Sequence, residues 1–353
     1  MNQTSSASAP DGCATVARVD VAVIGMGLIG GSTVRALAAA GHRVRGYDAD
    51  PAVRATARTA AARVPAAVRW QVTANLRDAL APASLAVVAV PLPAVPRVLD
   101  EVAGAGFSGL VTDVTSVKGP VQMLVDQRLH RRHNRLASFV GGHPMAGRET
   151  SGFDASDEHL FHGCAWVLCI EPGVTQMPDW LTLAELVTSL GARAVPATAE
   201  DHDRAVAAVS HVPHLLAAAL ANLTTDDPLA AALGAGSFRD GTRVAATRPD
   251  LMAAMVGGNA TATRAALEAV RRALDDANKA LDDPDPITSL RSWFTAGYDA
   301  RTGWPPQPGK ALDIPARPDA LLRLGRAGGW VTAVAPDRQT VTVVRPAEPP
   351  ERR

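Results

Sequence analysis

Val19-Asp20-Val21-Ala22-Val23-Ile24-Gly25-Met26-Gly27-Leu28-Ile29-Gly30 reads as a buried strand running into a Gly-x-Gly-x-x-Gly turn. An alanine-rich helical stretch follows from Ile29 to Ala40, Gly41 stands where a C-cap belongs, and Arg43 to Tyr47 gives a second strand ending at Asp48. Together they make one complete βαβ unit. In such a turn Gly25 permits the sharp reversal, Gly27 lets backbone approach a pyrophosphate, and Gly30 lets helix and strand pack closely. The amides of Leu28 and Ile29, in the first helical turn, point at the anion with the positive end of the helix dipole. Asp48 stands where a carboxylate accepts hydrogen bonds from a ribose 2′-hydroxyl and repels a 2′-phosphate, so the bound cofactor is expected to be NAD. Arg43, Arg45 and Arg54 lie close by in sequence and make this a preference over NADP rather than an exclusion.

Working outward, further strands are predicted at Leu85 to Val90, Leu110 to Asp113, Ser138 to Gly142 and Ala165 to Ile170, with helices at Pro93 to Val102 and Pro120 to Arg131. Alternating strands and helices imply an α/β Rossmann domain, a doubly wound and mostly parallel sheet, over residues 18–170. After Glu171-Pro172-Gly173 the pattern turns to long Ala/Leu/Val segments of helical period from Trp180 to Leu281, which predicts an all-α substrate domain over 171–300. Residues 301–353 read as a linker, punctuated by Pro305, Pro306 and Pro308, and a small β module with a hairpin from Gly329 to Val344 turned at Pro336-Asp337-Arg338. Residues 1–17 are Ser- and Ala-rich without the basic start and apolar core of a signal peptide, and read as a loose tail.

Composition narrows the function. With 353 residues, 47% hydrophobic and 20% charged, the chain can bury sizeable cores, which excludes wholesale disorder. Lys and Arg number 35 against 35 Asp and Glu, so no global positive field draws in nucleic acid. Cys13, Cys164 and Cys169 have neither metal-ligand spacing nor a disulfide framework, so no metal is expected and the cytoplasm is the expected compartment. The uncharged run between Arg204 and Asp226 is long enough for a membrane span, but Ser210, His211, Pro213, His214 and Asn222 interrupt it, and it reads as a buried helix.

Three clusters gather side chains that catalysis uses: Asp113 to Lys118, the run Gly141-Gly142-His143-Pro144 with Glu149, and Ser210 to His214. His143 follows a predicted strand, at the end of the sheet where ligands of open parallel sheets bind. A histidine there suits the removal of a hydroxyl proton as hydride leaves.

The run GGHPMAGRETSG, preceded by TDVTSVKG and followed by HDRAVAAVSHVPH and FRDGTRVA, resembles the prephenate and arogenate dehydrogenases of tyrosine biosynthesis. The resemblance spans roughly Val19 to Leu281. It implies oxidative decarboxylation, with hydride passing to NAD from the ring carbon that bears the hydroxyl. By resemblance His143 takes the hydroxyl proton and Ser116 hydrogen-bonds the same hydroxyl, although a helix cap competes for Ser116 because Pro120 follows closely. Arg243 matches the arginine that grips a substrate carboxylate, Arg239 a second basic position, His214 a histidine that holds substrate, and Glu149 an acidic residue at the pocket mouth. His211 is read as packing support, and Lys118 as a candidate contact to cofactor or substrate. The helical domain is expected to form a two-fold homodimer, as in the family. Met252 stands where some relatives place tryptophan, which leaves prephenate against arogenate open. Rival readings are a β-hydroxyacid dehydrogenase, disfavoured because no lysine lies between Lys118 and Lys279, and a non-catalytic NAD-binding module.

Overall fold

A computed structural model describes residues 18–129, 137–148 and 150–347; the expected N-terminal tail and Glu149 lie outside the described residues. Strands β1 (Asp20–Ile24), β2 (Arg43–Tyr47), β3 (Gln71–Val72), β4 (Leu85–Val88), β5 (Leu110–Asp113) and β6 (Ser138–Val140) form one sheet in the order β3-β2-β1-β4-β5-β6. Every pairing in it is parallel, and the order reverses between β1 and β4, which opens a crevice beyond the strand ends. Successive side chains of β1 go to opposite faces: Val21 and Val23 join one core, Ala22 and Ile24 the other. Both faces are therefore covered, and the helices α1 (Leu28–Ala39), α2 (Pro51–Arg63), α3 (Leu76–Leu80), α4 (Val95–Gly104) and α5 (Gly119–Arg128) are the connections of this sheet.

A second six-stranded sheet adjoins the first, built from β7 (Gly142–Pro144), β8 (Ala165–Cys169), β9 (Arg193–Ala197), β10 (Leu312–Pro315), β11 (Trp330–Val334) and β12 (Thr340–Val344) in the order β10-β12-β11-β9-β8-β7. It differs from the sequence reading in two places. The single strand expected over Ser138 to Gly142 divides at Gly141, so that β6 stays in the parallel sheet while β7 turns antiparallel to β8. Gly142 makes the crossover possible, because a Cβ there would lie 2.6 Å from the carbonyl oxygen of Asp113. The α/β layering also continues past Ile170: helix α6 (Met177–Ser189) returns the chain to β9, parallel to β8. That strand is only five residues long and contains Pro196, which hides it inside an otherwise helical pattern.

The C-terminal hairpin forms where the sequence placed it, with Arg338 at φ 57° in the turn. It is part of the second sheet, because β11 pairs antiparallel with β9 through Val331 and Ala194. Helix α14 (Pro318–Arg326) presses on the same strand so closely that a Cβ at Gly325 would meet the Pro196 carbonyl at 1.7 Å. Arg338 adds a forked contact to Glu185 of α6, at 2.6 and 3.0 Å.

Between β9 and β10 the described chain is helical: α7 (Ala199–Val206), a π-helical turn at Ala207–His211, then α8 (Val212–Asn222), α9 (Pro228–Leu233), α10 (Gly236–Thr242), α11 (Pro249–Gly258), α12 (Ala260–Leu281) and α13 (Pro286–Thr302). The segment Ala199–Asn222 is long and apolar enough to cross a membrane. The uncharged run between Arg204 and Asp226 was expected to be a buried helix, yet it is buried on one face only: Val206, His211 and Val212 are enclosed while Val209, Leu220 and Leu223 are exposed. The π turn has a local cause. Pro213 lacks the N–H that would bond the carbonyl four residues back, so the ladder re-registers just before it and rotates His211 and His214 relative to α7.

Candidate active site

The glycine turn after β1 has the geometry a dinucleotide needs. Gly25 adopts φ +95°, and a Cβ at Gly30 would lie 1.9 Å from the Gly25 oxygen, so neither position admits a side chain. Gly27 instead faces open space, with no atom within 4 Å of where its Cβ would be. It is also the N-cap of α1 and supplies no side-chain cap, leaving the first helical amides for an anion. Asp48 accepts from the amides of Met26 (2.7 Å) and Asp50 (2.9 Å), which braces the turn and leaves further lone pairs on both oxygens. Of the three arginines near it in sequence, Arg43 and Arg45 reach back to Asp20 at the start of β1, at 2.8 and 3.8 Å. Arg54 alone of the three lies beside Asp48, donating to its backbone oxygen at 2.7 Å with the guanidinium over the Tyr47 ring.

Beyond β5 the chain forms a buried ionic clamp. Asp113 and Lys118 are each 1% exposed and paired through Oδ2 and Nζ. The same oxygen accepts from the Thr115 amide at 3.0 Å, Oδ1 accepts from the Gly142 amide at 3.2 Å, and Nζ also donates to the Gly142 oxygen at 2.5 Å. The clamp thus fastens the end of β5 to the backbone beside His143. Ser116 sits half-buried on this loop, and it is not a cap: the N-cap position of α5 is Lys118, with no side-chain capping bond.

His143 lies within β7, opposite Val167 of β8, rather than beyond the end of a parallel strand as the sequence suggested. Its Nδ1 is 2.8 Å from His202 Nε2, and His202 Nδ1 is 2.8 Å from Asp203 Oδ1. Asp203 further accepts from the amides of Lys118 and Gly119, both at 2.8 Å, and its own carbonyl accepts from Asn259 at 2.7 Å. Burial works to raise the Asp203 pKa, but the bonds from His202, Lys118 and Gly119 outweigh it and hold the carboxyl below its usual range. Burial, then the nearby charges of His202, Lys118 and His211, hold His143 well below the ordinary histidine value, so at neutral pH it is an uncharged base.

Further along the same helix, His211 is fully buried with Nδ1 3.2 Å from both Asn259 and Thr263, while its Nε2 meets no partner. The π turn brings His214 round with a hydrogen bond to the Val244 backbone, leaving its Nδ1 buried and unpartnered. Arg243, at the start of the 3₁₀ turn Arg243–Ala246, is close enough for its charge to lower the His214 pKa, after burial and against that hydrogen bond. Arg239 is exposed on α10. The structure thus gathers His143 with the helix carrying His211 and His214, and His214 with Arg243; Glu149 is not described.

Sequence reasoning passed over His202, Asp203, Asn259 and the Asp113–Lys118 pair. A signal was there for two of them: His202-Asp203 opens the apolar stretch that ends in the second histidine motif, and adjacent polar residues on the buried side of such a helix need partners. Asn259 carried no comparable mark.

Known proteins place this arrangement in context. The family model described as the nucleotide-binding domain of prephenate dehydrogenase matches residues 33–196, and that of its dimerization domain matches 198–295, with the break falling at the end of β9. The chain is 33% identical over 242 residues to a prephenate dehydrogenase of Bacillus subtilis, covering 65% of this chain and 61% of that protein's length. A crystal structure assigned as a prephenate dehydrogenase from Corynebacterium glutamicum superposes with a TM-score of 0.72 at 33% identity, over 82% of this chain and 90% of that one. An arogenate dehydrogenase structure from Synechocystis gives 0.67 at 26% identity, over 80% and 99%. The chain belongs to the prephenate dehydrogenase family.

Proposed function

We propose that this protein is an NAD-dependent prephenate dehydrogenase, an oxidoreductase of tyrosine biosynthesis that converts prephenate to 4-hydroxyphenylpyruvate with loss of CO2. The observation that carries the reading is His143: a neutral histidine fixed by hydrogen bonds where the dinucleotide fold meets the helix bearing His211 and His214. NAD, when bound along Gly25, Gly27, Leu28, Ile29, Gly30 and Asp48, supplies the hydride acceptor. His143 accepts the proton of the ring hydroxyl as the C–H electron pair departs, which lends the oxygen carbonyl character. Cleavage of the ring–carboxylate bond then releases CO2, its electron pair makes the ring aromatic, and the borrowed proton returns to the phenol oxygen. Ser116 holds the hydroxyl in line, Arg243 grips a carboxylate with its planar fork, and His214 orients the ring substituent. The unpartnered Nε2 of His211 and Nδ1 of His214 support a polar ligand here, since buried polar atoms are rarely left unsatisfied. Arg239, exposed on α10, belongs at the mouth of the pocket.

The active form is a cytoplasmic homodimer. Leu229, Leu233, Leu251, Leu274, Ile287 and Phe294 are exposed along the helical segment, more apolar surface than a lone protomer keeps in water. The choice of prephenate over arogenate is supported by the 33% identity to the Bacillus subtilis and Corynebacterium glutamicum proteins named for prephenate, against 26% to the Synechocystis arogenate dehydrogenase. Initial rates of NAD reduction measured with each substrate test it. A higher kcat/KM on prephenate is expected; a higher value on arogenate reverses the substrate assignment and leaves the base and cofactor roles standing.

A further inference from the structure

The contacts behind His143 fix more than its position. Asp203 Oδ1 can only accept, so the 2.8 Å contact to His202 Nδ1 requires the proton on that nitrogen. His202 in its neutral form then has a bare Nε2, which can only accept, so the 2.8 Å contact to His143 requires a proton on His143 Nδ1. The remaining nitrogen of His143, Nε2, is left with a lone pair and no proton. One carboxylate two hydrogen bonds removed from the base thus dictates its tautomer. Asp203 is itself locked, by the amides of Lys118 and Gly119 at the start of α5 and by Asn259 on its carbonyl, and His202 is 2% exposed.

We propose that His202 and Asp203 are positioning residues of the reaction, forming an Asp–His–His chain that presents Nε2 of His143 as the base and stabilises the imidazolium formed when it takes the hydroxyl proton. This rests on the reading of His143 as the base. The chain moves no atoms beyond the borrowed proton: as Nε2 is protonated, the Nδ1–H of His143 strengthens its bond to His202, and His202 does the same to the carboxylate. Other groups act on the same ring. Lys118, paired with Asp113, stands on the β5–α5 side and His211 on the π turn. Lys118 and His211 oppose charge on His143, and Asp203 is the anion hydrogen-bonded to it through His202.

Three variants test the chain: His202→Leu, His202→Gln and Asp203→Asn, with kcat and KM for prephenate and NAD measured across pH. His202→Leu removes the acceptor for His143 Nδ1–H and is expected to lower kcat about 10- to 100-fold at unchanged KM for NAD. Glutamine can offer an amide oxygen in place of Nε2, so His202→Gln is expected to recover most of that loss. Asp203→Asn removes the anion, which lowers the pKa of the His143–His202 pair. The acid limb of kcat/KM moves to lower pH while the plateau falls, a combination that loosened packing alone does not produce. If Asp203→Asn fails to fold, the two His202 variants decide. Wild-type kcat in His202→Leu, or equal loss in the Leu and Gln variants, overturns the proposal. Should His143→Asn abolish turnover while His202→Leu does not, the chain is wrong and the base stands. If the wild-type protein turns over no prephenate, the reading of the base falls and the chain with it.

Discussion

Replacing His143 with asparagine is expected to reduce kcat about 10²- to 10⁴-fold, the usual contribution of a positioned general base. Asparagine fills a similar volume and can keep a donor toward His202 Nε2, so β7 and its pairing with β8 at Val167 should persist. It cannot accept a proton at neutral pH. NAD affinity should stay within about twofold, because the glycine turn and Asp48 follow β1 and β2 of the parallel sheet, whereas His143 lies in β7 of the second sheet. Steady-state kinetics together with NAD titration by fluorescence check both halves. Retained turnover would show that another group takes the proton. Turnover and cofactor binding lost together would mean that the substitution damaged the fold.

Lys118→Met is expected to be strongly destabilising. It leaves Asp113, 1% exposed, without its cation, and breaking a buried pair by removing one partner costs about 3–5 kcal/mol. The remaining donors to Asp113, the amides of Thr115 and Gly142 and the Thr115 hydroxyl, are neutral and offset only part of that charge. The effect should also reach activity, because Nζ holds the Gly142 carbonyl next to His143. Converting both members, Asp113→Leu with Lys118→Met, should recover part of the stability, since an apolar pair of similar volume removes the uncompensated charge. Midpoints of urea unfolding for the single and double variants measure this. A single variant as stable as the wild type would contradict the clamp.

Much of the fold was legible because its first strand, glycine turn and helix obey strict local rules. Gly25, Gly27 and Gly30 can each be assigned a steric duty from sequence, and the backbone at these positions agrees. The second sheet was not legible for reasons equally physical. Strand β7 is three residues long and gains its pairing from β8, more than twenty residues later, and β9 is short and holds a proline. Pairing partners so distant leave no periodic mark on either segment. The same holds for the site. His143, Ser116, His214 and Arg243 lie in recognisable runs, whereas the bonds from His143 to His202 and from Asp203 to the start of α5 exist only once α7 packs against β7 and α5. Lys118 illustrates the point: from sequence it is a candidate contact to cofactor or substrate, and only the fold reveals the carboxylate it faces.

The most direct test of the central claim is to incubate the purified protein with prephenate and NAD and to quantify NADH and CO2 against prephenate consumed. Equal amounts of NADH and CO2, with 4-hydroxyphenylpyruvate as the product, are the expected result. Prephenate that remains unconsumed, or NADH formed without CO2, would contradict it.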